Sequence, residues 1–149
     1  MMKYIKLILF LLPWLLNIFF LNSNYLCSLK LPFIIPPNCI MILFLISSYI
    51  LITINMFKIY NVFNYKDTID YNKYLFTNYI FNIFFMISLF IINNLFLSFC
   101  TIIVCFLSTL FLYYESKSYD LKASKYLVFN IYYNLYLSVI LLVTYFMNL

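Results

Sequence analysis

Five long apolar runs, separated by short segments that hold almost every charge, occupy nearly the whole chain. They fall at residues 4–21, 39–57, 74–92, 95–114 and 126–147. A helix needs roughly 20 apolar residues to cross the hydrocarbon core of a bilayer. No Asp or Glu lies in the middle of any run, and the lysines sit at run ends or between runs. With 67% hydrophobic and 9% charged residues, the chain has too little polar surface to clothe a water-soluble domain. The runs are apolar on all sides, whereas a membrane β-barrel needs alternation, and open sheet edges are excluded from lipid. The expected fold is all-α, an integral membrane five-helix transmembrane bundle forming a single domain over residues 1–149.

Composition is skewed: Gly, Arg and His are absent, Ala occurs once, at Ala123, and Pro four times. Gly, Ala, Arg and Pro need GC-rich codons, so their scarcity and the abundance of Asn, Tyr and Lys are expected of an AT-rich genome. The net charge of +5 comes from nine lysines set against Asp67, Asp70, Glu115 and Asp120. These lysines flank the apolar runs, which makes them juxtamembrane anchors in contact with lipid and gives no reason to expect a nucleic-acid partner. The N-terminus and the segments 58–73 and 115–125 share one side of the membrane and hold every lysine except Lys30. The positive-inside rule then puts the N-terminus in the cytoplasm. A mitochondrial membrane or the endoplasmic reticulum is the expected location. Residues 1–22 carry two readings, a retained first helix or a cleaved signal peptide that leaves four helices.

The segment 22–38 holds Pro32, Pro36 and Pro37 within six residues. Proline fixes its own φ and restricts the preceding residue, so this loop is stiff, extended and lid-like, with a prolyl pair poised to open the second helix. Cys27 and Cys39 flank it and would pair only in an oxidising compartment; Cys100 and Cys105 lie inside a run and read as small packing residues. Only Asn93 and Asn94 separate the third and fourth runs, which must therefore be antiparallel neighbours.

Chemical groups for catalysis are scarce. Without histidine there is no His-ligated haem or zinc and no histidine base. A carboxylate or lysine in mid-membrane would cost roughly 2.5–3.5 kcal/mol and usually marks an ion path; none is present. No catalytic residue, metal ligand or cofactor is expected, and the chain does not read as an enzyme. The runs do carry uncharged polar residues at helical spacing. Asn78 and Asn82 share one face, as do Tyr126, Asn130, Tyr133, Asn134 and Ser138, and Ser48 lies seven before Asn55. Amides facing lipid would go unpaired, so these stripes should turn inward. There they either hydrogen-bond between helices or line a ligand cavity with amides and phenols. Leu112, Tyr114 and Lys117 also fit a short sterol-contact pattern of low specificity.

The proline loop reads Tyr25-Leu26-Cys27-Ser28-Leu29-Lys30-Leu31-Pro32-Phe33-Ile34-Ile35-Pro36-Pro37, with Tyr49 twelve residues beyond. Further on come Asn78-Tyr79-Ile80-Phe81-Asn82-Ile83-Phe84-Phe85, and then Ala123 with Leu127 and Tyr133. In this order the motifs resemble the translocator (TspO, tryptophan-rich sensory) protein family. That family's first loop follows W-Y-x-x-L-x-K-P-x-[WF]-x-P-P and its third helix L-N-x-x-W-S-x-L-F-F. The likeness covers most of the chain from Tyr25 onward. Several family tryptophan positions are occupied by Ile34, Cys39, Leu45, Phe81 and Tyr133, and the only tryptophan is Trp14. The resemblance implies a five-helix bundle, often a homodimer, with a pocket beneath the first loop that takes a tetrapyrrole (porphyrin or haem) or a sterol. By analogy Tyr49, Asn78, Phe81 and Tyr133 would line that pocket and Pro32, Pro36 and Pro37 would shape its lid. The inward stripes add Asn82, Asn130 and Asn134 to the ligand-binding set.

The functional expectation is therefore a membrane-embedded binding protein or carrier for porphyrin, haem or sterol. Its rival is a structural accessory subunit of a larger respiratory or ATP synthase type complex, in which the same polar stripes pair with partner helices. The cavity reading expects Asn78→Leu to weaken ligand binding and leave the bundle folded.

Overall fold

A computed structural model describes residues 2–20, 25, 28–33, 35, 36, 38–63 and 65–149. Pro37, Ile34 and Cys27 lie outside the described residues. Five helices carry the architecture: α1 (Met2–Leu16), α2 (Asn38–Val62), α3 (Ile69–Phe90), α4 (Leu95–Tyr119) and α5 (Val128–Met147). There is no strand among the described residues. Helices α2, α3 and α4 are each long and apolar enough to cross a membrane, as is α5 together with the short turns from Leu121 that lead into it. The protein is thus a multi-pass integral membrane protein built as a five-helix bundle.

The first run departs from a single span over 4–21. Its α-helix stops at Leu16 and continues as a tighter 3-10 turn, Asn17–Phe20. Pro13 lies inside α1. Its carbonyl, which would ordinarily accept from the amide four residues on, takes a hydrogen bond from the Tyr79 hydroxyl of α3 at 3.1 Å. At about 1.5 Å per α residue and 2 Å per 3-10 residue, the combined rod is close to the roughly 30 Å hydrocarbon thickness. Helices α2, α3 and α4 outrun their apolar runs by about five residues at the lysine-rich end. Lys58–Val62, Ile69–Lys73 and Glu115–Tyr119 are helical, because a helix continues through the polar interface where hydropathy has already fallen.

Helix α4 is the centre of the bundle, with α3 along one side and α5 along the other; α1 lies on α2, and α2 reaches α5 and the turns before it. Connections are short because the termini are well capped. Asn93 sits at φ 57, the left-handed region that this glycine-free chain fills with Asn. The Asn94 side chain then accepts from the Leu97 amide at 2.9 Å and opens α4. At the opposite end Asp120 ends α4 and accepts from the Lys122 amide at 2.7 Å.

The lysine-rich end of the bundle is locked by one amide. Asn55 of α2, fully buried, donates from Nδ2 to Ser116 Oγ of α4 (2.6 Å) and to the Ala123 carbonyl (2.9 Å). Its Oδ1 accepts from the Tyr71 hydroxyl of α3 at 2.7 Å. Four elements converge there, and Ala123 is completely buried against them. Interhelical hydrogen bonds in membranes average about 0.6 kcal/mol, and stranding a buried partner adds about 1–3 kcal/mol. Asn55→Leu is accordingly expected to lower the stability of the bundle by about 2 kcal/mol in reversible mixed-micelle unfolding. Tyr71→Phe should add little more in the Asn55→Leu background, since its acceptor is already gone.

Candidate functional site

The stripe asparagines do turn inward: Asn55, Asn78 and Asn134 bond between helices, whereas Asn82 and Ser138 bond to carbonyls of their own helix. Asn78 of α3 is fully buried and donates from Nδ2 to Ser108 Oγ (2.9 Å) and Thr109 Oγ1 (2.8 Å) of α4. Asn82, one turn on, donates to the Asn78 carbonyl at 2.9 Å. Asn134 of α5 reaches the same Thr109 hydroxyl from the other side at 3.0 Å. Thr109 in turn donates to the Cys105 carbonyl at 2.7 Å. One layer of side chains therefore ties α3, α4 and α5 together across the middle of the bundle.

Two buried amides stand apart from this network. Asn130 is 1% exposed, and neither its Oδ1 nor its Nδ2 has a hydrogen-bond partner. Asn17, 0% exposed, donates to the Tyr49 hydroxyl at 3.3 Å while its own Oδ1 is unpaired. The Tyr49 ring packs against Trp14 with centroids 5.6 Å apart, and Trp14 meets Tyr79 edge-on at 5.2 Å. This aromatic cluster seats α1 on α2 and α3.

The cavity lies elsewhere, in the half of the bundle opposite the lysine-rich loops. It has a volume of about 260 Å³ and is walled by Leu45 of α2, Leu89 of α3, and Leu137 and Ile140 of α5, with Leu31 and Ile35 of the proline loop as part of its lining. Among the described residues its only polar side chains are Tyr133 and Thr144. The Thr144 hydroxyl is already committed to the Ile140 carbonyl at 2.8 Å. Tyr133 is held by a parallel stack on Phe129 and an edge contact with Phe44 of α2. A second, more open groove of about 340 Å³ runs between α1, α2 and α3, with Pro13, Trp14 and Tyr79 on its wall.

The loop is pinned over the cavity from the far end of the chain. The Lys30 amide donates to Asn148 Oδ1 at 2.9 Å, and Asn148 Nδ2 donates back to the Lys30 carbonyl at 2.9 Å. Asn148 Nδ2 also donates to the Thr144 carbonyl at 2.8 Å, which fixes the amide to the end of α5. Beyond Lys30 the Ile35 amide closes a turn onto the Pro32 carbonyl at 3.1 Å, and Phe33 stands fully exposed at its tip. Pro32 and Pro36 are half-buried and immediately follow the two cavity-lining loop residues.

Of the residues expected in a pocket, Tyr133 lines this cavity, whereas Pro32 and Pro36 are half-buried next to the lining residues Leu31 and Ile35 without lining it themselves. Tyr49, Asn78, Phe81, Asn82, Asn130 and Asn134 line neither cavity nor groove. Phe81 is half-buried beside Phe84 at 6.4 Å. The lining aliphatics and Asn148 were not singled out by sequence. Aliphatic residues are too common here to mark a site, and Asn148 reads only as a polar residue after the last run. No cluster of three potential metal ligands occurs among the described residues. No protein-family model matches this chain, and no curated protein is significantly similar to it.

The contrast between Asn78 and Asn130 yields an opposed pair of outcomes. Asn78→Leu removes two good interhelical bonds and should cost about 1–3 kcal/mol in mixed-micelle unfolding. Asn130→Leu removes an amide that gains nothing in return for its desolvation, so it should leave stability unchanged or raised. A loss in Asn130→Leu comparable to that of Asn78→Leu would show that the Asn130 amide is engaged by a partner.

Proposed function

We propose that this protein is a membrane-embedded binding protein or carrier for a hydrophobic ligand, seated in the apolar cavity beneath the proline loop. The observation that carries this reading is the cavity itself: a void walled by aliphatic side chains and roofed by a loop stiffened by proline. Burial of apolar surface would supply most of the affinity, at about 25 cal/mol per Å², and the Tyr133 hydroxyl would orient any polar edge of the ligand. The resemblance of the proline loop and of the third-helix motif to the translocator protein family makes a porphyrin, haem or sterol the first ligands to try. At about 260 Å³ the cavity lies just below the range of roughly 300–1,000 Å³ typical of small-molecule sites, so a tetrapyrrole would need the roof to rise.

The rival reading is a structural subunit of a larger complex. Asn78, Asn82 and Asn134 are occupied inside this bundle, which removes them both as contacts for partner helices and as ligand groups, so the cavity alone favours the carrier reading. Purified protein is expected to bind protoporphyrin IX or cholesterol saturably, near micromolar and at one per chain, by absorbance or sterol-exchange titration. Leu137→Trp, which fills the cavity, should abolish binding by a sample that still unfolds cooperatively. Undiminished binding in Leu137→Trp would place the ligand elsewhere, and no binding of any hydrophobic ligand by the folded parent would overturn the proposal.

A further inference from the structure

The cavity described above carries a charge asymmetry that bears on what it takes. All four acidic residues lie in the segments 67–70 and 115–120, at the opposite end of the bundle, together with eight of the nine lysines. At the cavity end the only charged side chain is Lys30. Lys30 is exposed and makes no ion pair among the described residues. It precedes Leu31, which lines the cavity, and its main chain is bonded in both directions to Asn148, whose amide also holds the carbonyl of the cavity residue Thr144. The Lys30 main chain is thus held beside the cavity residues Leu31 and Thr144, and its exposed side chain extends from this rim without an ion pair among the described residues.

Among the described residues that line the cavity, by contrast, none can receive a charge. Its polar side chains are a phenol and a committed hydroxyl, and an ionised group drawn in among aliphatic walls would lose its hydration without compensation. A neutral hydrocarbon would leave the mouth cation unused, and a two-chain lipid exceeds a cavity of about 260 Å³.

We propose that the cavity takes a single-chain anionic amphiphile, a long-chain fatty acid in its ionised form, with the hydrocarbon tail among Leu45, Leu89, Leu137 and Ile140 and the carboxylate at the Lys30 ammonium. The proposal rests on reading the cavity as the ligand site. It adds a specificity determinant, Lys30, and a polarity: tail inward, head at the surface opposite the lysine-rich loops. Asn148 contributes by holding the Lys30 main chain at the rim.

The test uses the full chain in nanodiscs of zwitterionic phospholipid, with empty discs subtracted, and radiolabelled palmitate and methyl palmitate as probes at a pH where the free acid is ionised. Palmitate should bind saturably at one per chain and more tightly than its methyl ester. One lysine at a membrane surface is worth about 1 kcal/mol, so Lys30→Gln should weaken palmitate about fivefold, leave the ester unchanged, and be rescued by Lys30→Arg. The Lys30 bonds to Asn148 are made by its main chain, so Lys30→Gln retains them and should fold normally. Equal binding of acid and ester, both indifferent to Lys30→Gln, would overturn the anionic selectivity and leave the apolar site standing. Displacement of palmitate by a diacyl phosphatidylglycerol at equal concentration would overturn the single-chain assignment. Binding of neither probe by folded protein, or binding untouched by Leu137→Trp, would remove the cavity reading itself.

Discussion

The seam that α4 offers to its neighbours is the constraint on which the rest of the bundle depends. Ser98, Cys105, Thr109, Leu112 and Ser116 are all buried on this helix, and they recur at the three- and four-residue steps of a single face. Small side chains let α3 and α5 approach closely where apolar burial gives no driving force between helices, since lipid is as apolar as leucine. Hydroxyls along the same face then serve as acceptors for amides from both sides. Asn78 and Asn134 meet at Thr109 in the middle, and Asn55 meets Ser116 toward the lysine-rich end. A further hydroxyl contact, Ser88 with Thr101 at 3.2 Å, ties the other end of the α3–α4 pair.

That seam also explains where the cavity can be. Along the seam itself, the centre and the lysine-rich end are filled by amide networks and by aromatic packing, such as Tyr71 against Tyr60 and Tyr119, and the open groove lies outside it beside α1. At the proline-loop end no hydrogen bond joins α2 and α5 among the described residues. Phe44 meets Phe129 and Tyr133 edge-on, and beyond this contact the two helices are separated by aliphatic side chains that do not fill the gap. The proline loop covers what the helices leave open. Asn148 fastens it at one point, and Pro32 and Pro36 limit the conformations available on either side of the turn.

The helical membrane architecture is legible in the run lengths alone, because nothing else hides five such stretches. Inward placement of Asn55, Asn78, Asn82, Asn130 and Asn134 follows from the cost of an amide in lipid, and each is buried. What spacing leaves undetermined is the use of a buried amide. Asn78 and Asn130 look alike in sequence, yet one is bonded twice across helices and the other is bonded to nothing. Partners such as Ser108, Thr109 and the Ala123 carbonyl lie 30 to 68 residues away in the chain, and no local pattern connects them. The break in the first span is equally hidden, since Pro13 alone predicts a kink without revealing that Tyr79 takes its carbonyl. The cavity is the least legible feature, being a gap among residues of the commonest type in the chain.

The loop-roofed cavity is proposed to hold a hydrophobic small molecule. Native mass spectrometry of the protein released directly from its own membrane tests this most directly, because it needs no choice of ligand. A chain or dimer carrying one small amphiphile per chain, lost in Leu137→Trp, is the predicted result. A protein that emerges without any small molecule, and only as one component of a large assembly, would contradict the account.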